Sequence, residues 1–236
     1  MEQIDRQFSI KSWFDQTYRD RGMSYLRPAE AYPIFLQMLD AEPGQRLLDV
    51  GCGPGLLLGA ALDRGLMATG VDISEVAIDM AKERIPEADL HVANAEALPF
   101  PDDAFDLITC VGALERFLDR PAALAELARV AVADARLCIM VRNASALEWR
   151  VWRRLLGRQN HTGHQDADTL QAWRRLFESS GFTIETTYMD QWNRQKLRRV
   201  ARGFRAWDPR QPEPIAEPLF GWMFAYELIF ILRLAP

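Results

Sequence analysis

A chain of 236 residues, 49% of them hydrophobic, is long enough for one α/β domain with a sizeable core. Its net charge of −5 gives no general attraction to nucleic acid or to an anionic membrane. The three cysteines, Cys52, Cys110 and Cys138, fall in or beside predicted strands and lack metal-ligand spacing, which argues against a disulfide framework or a metal site and points to buried thiols in a reducing, cytoplasmic setting.

The opening MEQIDRQFSI lacks a charged segment followed by an apolar run, so no signal peptide is expected. No stretch reaches membrane-spanning length without charge; the most apolar, Leu219 to Leu234, carries Glu227 and Arg233. Residues 1–44 read as amphipathic helices with the aromatics Trp13, Phe14, Tyr18, Tyr25, Tyr32 and Phe35, ended by Pro43-Gly44. A first strand at 45–50 then runs into Gly51, Gly53 and Gly55, and a helix follows at 55–65. Glycines in such a turn accept positive φ and let a ligand approach the backbone. The unpaired amides at the helix start aim at whatever sits there. A dinucleotide fingerprint would place the third glycine one residue later. Asp49, just before the turn, would repel a pyrophosphate but suits a ligand ammonium.

A second strand at 68–72 ends in Asp72, followed by Ile73 and by Ser74, which is placed to cap a helix at 74–85. An acid about twenty residues past a glycine turn can accept bonds from both hydroxyls of a ribose, and it can also simply precede the capped helix. A third strand at 88–92 leads into Val92 to Phe100, and a fourth runs from Phe105 to Val111 as a buried parallel strand. A helix at 121–132, a turn at Ala131 to Ala135 and a fifth strand at 135–141 follow. This alternation implies parallel strands with right-handed crossovers. A helix at Ala167 to Ser180, stopped by Gly181, precedes strands near Phe182 to Tyr188 and Tyr226 to Arg233.

The segments LLDVGCGPG, VDIS, VANAEALPF and FDLITCV together resemble the class I S-adenosylmethionine-dependent methyltransferases, well over residues 40–142 and loosely over 165–189 and the C-terminus. The resemblance implies an α/β fold with a Rossmann-like, doubly wound, mostly parallel seven-stranded sheet, its last strand antiparallel beside the sixth. It implies S-adenosyl-L-methionine as cofactor, seated on Asp49, Gly51, Cys52, Gly53 and Gly55. Asp72 would take the ribose and Ile73 would pack on the adenine. Asn94, with Ala95 and Glu96, would face the adenine edge, and the backbone of Cys110, Val111 and Gly112 the methionine part. The chain departs from the family at three places. Asn94 replaces an aspartate, Arg116 replaces the histidine of an L-E-H-x-x-D stretch, and Ala131 to Ala135 replaces a Lys-Pro-Gly-Gly turn. No Asn-Pro-Pro-Tyr motif follows the fourth strand, which disfavours a nucleobase amine or a glutamine amide as methyl acceptor.

Read this way, residues 1–236 are one methyltransferase domain: a helical cap at 1–44, a cofactor-binding core at 45–142, and insertions at 143–166 and 190–221. Ligands in doubly wound sheets sit at the carboxyl ends of strands, so the cap and insertions would roof the active site. Both insertions are basic and aromatic, with Trp149, Arg153 and Arg154 in one and Arg198, Arg199 and Trp207 in the other. They suit solvated helix faces, an anionic substrate or transient contact with an anionic membrane surface. The expected acceptor is a small, apolar or aromatic metabolite methylated at oxygen or carbon, with His161, His164 or Glu115 as base. The alternative is a non-catalytic protein that keeps the fold as a binding scaffold. Nucleic acid is a disfavoured partner, and the oligomeric state is left open.

Overall fold

The computed structural model describes residues 2–146, 166–190 and 225–236. Seven strands form one sheet: β1 Arg46–Val50, β2 Met67–Asp72, β3 Asp89–Val92, β4 Phe105–Val111, β5 Ala131–Arg142, β6 Phe182–Met189 and β7 Glu227–Leu234. Their order is β3-β2-β1-β4-β5-β7-β6. Pairing from β3 through β5 is parallel, and β7 runs antiparallel between β5 and β6. This is the expected Rossmann-like sheet.

The strands are apolar on both sides because helices cover both faces. Alternate residues feed two cores. Leu48, Val50, Ile108, Ile139 and Phe230 join one, while Leu47, Leu107, Cys138, Met140 and Ile229 join the other. Helices α3 (Leu56–Asp63) and α4 (Glu75–Arg84) contribute Leu57, Leu58 and Ile78 to the second core. Helix α5 (Arg120–Val130) contributes Leu124 and Leu127 to the first.

Ser74 caps α4 as expected, accepting from the Ala77 amide at 3.2 Å. The N-terminal segment folds as α1 (Glu2–Arg21), short 3-10 turns at Gly22–Tyr25 and Ala29–Ala31, and α2 (Pro33–Met38). Phe35 and Leu36 of α2 lie in the second core. Helix α1 docks on α4 through Asp15, whose Oδ1 accepts from Ser74 Oγ at 2.6 Å.

The start of β5 differs from the sequence expectation. Helix α5 stops at Val130 and the strand begins at Ala131, with no separate turn across 131–135. Phe105 pairs with Ala131 but Leu107 pairs with Arg136, so the extra residues are absorbed as an irregularity within the strand. Ala131 and Ala135 are both buried, and burial of these two small side chains holds the segment against the sheet.

Helix α6 (Leu170–Ser179) is capped by Thr169 and buries Trp173 and Phe177. The Trp173 indole N–H donates to the Arg142 carbonyl at 2.9 Å, and its ring stacks near Phe177. Among the described residues no helix is long and apolar enough to cross a membrane. Trp173→Ala should leave a cavity and remove the indole bond to the Arg142 carbonyl, lowering stability by about 3–5 kcal/mol. The shift in urea midpoint measures it.

Candidate active site

A cavity opens at the carboxyl ends of β1, β2 and β4, with α1 forming its opposite wall. The loop leaving β1 makes its floor. The amides of Gly51 and Cys52 both donate to the Val71 carbonyl, at 2.8 and 3.0 Å, which folds the loop back over the end of β2. Gly51 and Gly53 have φ of 75° and 52°, in the left-handed region. A Cβ on Gly51 would lie 2.4 Å from the Ala113 Cβ, and one on Gly53 would lie 2.9 Å from the Tyr18 hydroxyl. Both glycines therefore keep open a cradle that any side chain would fill.

Asp72 fixes that cradle. Its Oδ2 accepts from the Gly53 amide at 2.9 Å and its Oδ1 from the Ser74 amide at 2.9 Å. Each carboxylate oxygen has a second lone pair, so ribose hydroxyls can still be received. Burial pushes the Asp72 carboxyl above its usual range. Asp49 is buried beneath the loop, and Thr109 Oγ1 donates to its Oδ1 at 2.7 Å. Burial pushes Asp49 up to about 7; the Thr109 bond opposes this, and the charge of Asp72 adds to it. A ligand cation placed there would supply the charge that Asp49 lacks.

The cavity is lined by Asp49, Gly51, Cys52, Gly53, Asp72, Ile73, Asn94, Ala95, Glu96 and Val111, all named from sequence. Asn94 Oδ1 accepts from the Glu96 amide at 3.1 Å. Glu96 also braces the loop before α5, because its Oε1 accepts from the amides of Leu118 and Asp119 at 2.9 and 3.0 Å.

Three expected site residues lie elsewhere. Gly55 does not line the cavity. It takes a φ of 75° at the start of α3, where a Cβ would meet Ile85 at 2.5 Å, so its role is helix packing. Cys110 is fully buried behind the cavity wall, its place at the surface taken by Val111 and Gly112. Glu115 sits on the 3-10 turn Leu114–Arg116, which turns Arg116 to the cavity and buries Glu115, with Oε1 3.8 Å from Arg142 Nε. Burial pushes its carboxyl up, against the nearby charges of Arg116 and Arg142. From there Glu115 meets no ligand in the cavity. His161 and His164, with most of both insertions, lie outside the described residues.

Other lining residues were not among the site residues expected from sequence. Phe14 and Tyr18 on α1, with Tyr32 and Phe117, supply an aromatic wall. Arg116 lies over the rings of Phe14 and Trp13, at 5.1 and 5.8 Å to their centroids. Arg27, Arg142 and Glu227 line the far end. The aromatic run in α1 was visible as a pattern, but Arg27 and Glu227 meet across most of the chain with no motif around either. Among the described residues no group of His, Cys, Asp and Glu side chains is placed to hold a metal ion.

Residues 48–139 match the family described as a methyltransferase domain. A demethylmenaquinone methyltransferase of Renibacterium salmoninarum is 34% identical over 106 residues, 45% of this chain and 45% of its own length. A ubiquinone biosynthesis O-methyltransferase of Hahella chejuensis is 32% identical over 143 residues, 54% of this chain and 58% of its own. The chain thus spans about half the length of these curated relatives. The fold is shared with the Burkholderia thailandensis 1,6-didemethyltoxoflavin-N1-methyltransferase, solved with S-adenosylhomocysteine bound, at a TM-score of 0.64, 16% identity and coverage of 96% of this chain and 87% of that one. Over residues 48–139, then, the chain is similar to the methyltransferase-domain family, and its sheet has the fold of the methyltransferase structure named above.

Proposed function

We propose that this protein transfers a methyl group from S-adenosylmethionine to an oxygen or carbon of a small, apolar or aromatic metabolite. The observation that carries this reading is one continuous cavity with two unlike halves. One half is the glycine cradle with Asp49, Asp72 and Asn94; the other is walled by Phe14, Tyr18, Tyr32 and Phe117. The cofactor supplies a methyl group already activated on a sulfonium. The work left to the chain is to orient the acceptor and exclude water. Asp72 would hold the ribose, Asn94 would meet the adenine edge, and Asp49 would sit beside the ammonium. The aromatic wall and α1 would enclose the acceptor. The two curated relatives named above, by their names a demethylmenaquinone and a ubiquinone-pathway methyltransferase, support a small-molecule acceptor. The domain would span 1–236, with residues 143–166 and 190–221 over the cavity and the first of them bringing His161 and His164 as candidate bases.

Calorimetric titration with S-adenosylmethionine should show binding in the submillimolar range, and Gly53→Arg should abolish it. No binding to the native chain would end the methyl-transfer reading.

The charge state of Asp49 gives a pH signature. Its folded value of about 7 lies above the ordinary aspartate value, so it is protonated as pH falls below 7. An ammonium ligand needs the ionised form and must displace that proton. Affinity for S-adenosylmethionine should therefore weaken by up to about tenfold per unit below that point. Asp49→Asn should bind weakly with a flatter pH profile; an unchanged slope would remove Asp49 from this role.

His161→Ala and His164→Ala should each be tested for turnover at saturating cofactor. A fall in turnover with cofactor affinity retained would assign the base to that histidine; unchanged turnover in both would exclude them and leave the role to another group of the cavity.

A further inference from the structure

The far end of the cavity is a buried charge cluster built from distant parts of the chain. Arg27, Arg142 and Glu227 line the cavity there. Arg27 follows the first 3-10 turn, Arg142 ends β5 and Glu227 begins β7. Register places Arg142 directly opposite Glu227, two residues beyond the Met140 that pairs with Val111.

Each guanidinium in this wall is already engaged. Arg27 makes a two-pronged pair with Asp190, at 3.1 and 2.8 Å, and also donates to Glu227 Oε2. Arg142 donates to the Tyr226 hydroxyl at 3.2 Å, lies over that ring, and stands 3.8 Å from Glu115. Arg116 is held over Phe14 and Trp13. An anionic acceptor would have to break one of these contacts.

The groups around Glu227 are Arg27, Asp190, Arg142, Glu115 and Tyr32. Two guanidiniums thus face three carboxylates, counting Glu227 itself. Asp190 engages both terminal nitrogens of Arg27, which leaves Glu227 only part of that cation. Of the three carboxylates, Glu227 is the one that lines the cavity. A carboxylate in such a place gains by accepting a proton.

Resting on the methyl-transfer reading above, we propose that Glu227 is the general base of this site, and that the acceptor is a neutral ring compound bearing a hydroxyl group. As the hydroxyl oxygen bonds to the methyl carbon, its proton passes to Glu227. The carbon–sulfur bond breaks with its electron pair left on sulfur, so the sulfonium becomes a neutral thioether. The protonated Glu227 returns its proton to solvent after the product leaves. Burial already pushes the Glu227 carboxyl above the ordinary glutamate range, with Asp190 and Glu115 adding and Arg27 and Arg142 opposing. Asp190 acts as a positioning residue, since it decides how much of the Arg27 charge Glu227 feels.

The test uses the full chain, methyl-labelled S-adenosylmethionine, and catechol, 2-naphthol and benzoate as probes. Catechol or 2-naphthol should be methylated and benzoate should not. Glu227→Gln should lower kcat by at least about a hundredfold, in the range expected for loss of a general base, with cofactor affinity and melting temperature kept. Glu227→Asp should be intermediate. Asp190→Asn should turn Arg27 wholly onto Glu227 and move the acid limb of kcat/KM to lower pH, a shift that loss of packing alone would not produce. If Glu227→Gln fails to fold, the Glu227→Asp rate and the Asp190→Asn profile decide. Glu227→Gln within threefold of the native rate, an unmoved acid limb in Asp190→Asn, or a cofactor-binding chain that methylates neither neutral probe would overturn the proposal and leave the methyl-transfer reading standing. Failure to bind S-adenosylmethionine would instead end that reading.

Discussion

The site depends on one carboxylate. Asp72 ends β2, and its two oxygens hold the amides of Gly53 and Ser74 at 2.9 Å each. One side chain thus ties the loop after β1 to the loop after β2. The chain of bonds continues outward, because Ser74 Oγ donates to Asp15 on α1, and Lys11 pairs with Asp15 at 3.1 Å. The glycine cradle, the carboxylate at the end of β2, the start of α4 and the helix walling the cavity are therefore one connected unit. Buried, charge-assisted bonds of this kind are stronger than neutral ones, and removing one partner leaves the others buried and unpaired. The expected ribose role and the expected role before the α4 cap are compatible in Asp72, and neither excludes the other.

The glycine-cradle half of the cavity was legible because it is local. A strand, a glycine turn and a helix lie within some twenty residues, and each glycine's neighbours follow from that path. The same locality explains why Gly55 and Cys110 fall outside the cavity lining. Gly55 and Cys110 lie close in sequence to true lining residues, but the strand period sends Cys110 inward and leaves Val111 and Gly112 at the surface. Gly55 is used one step further on, against Ile85. Glu115 is turned from the cavity for a similar reason: a 3-10 turn decides which of two adjacent residues faces it, and no sequence pattern fixes its phase.

The other half is written in long-range contacts. Arg27, Asp190 and Glu227 come from a loop after α1, the end of β6 and the start of β7, and Arg142 joins them only because β7 inserts beside β5. No periodicity marks such a cluster in advance. The β5 start belongs here too. Ala131 to Ala135 resembled a turn lacking its usual glycines, yet burial of two alanines and a register shift against β4 keep it in the sheet. The chain thus forms a glycine cradle from local sequence while building the far wall of its cavity from distant residues that no motif marks. Specificity in such a site rests on which buried polar groups the acceptor satisfies or leaves unpaired.

The most direct measurement is a crystal structure of the protein soaked with S-adenosylhomocysteine. The account predicts the ribose hydroxyls on Asp72, the adenine beside Ile73 and Asn94, and the amino group near Asp49, with Gly51 and Gly53 in backbone contact with the ligand. Density for the ligand elsewhere, or a cradle filled by the Tyr18 side chain with no ligand bound, would contradict it.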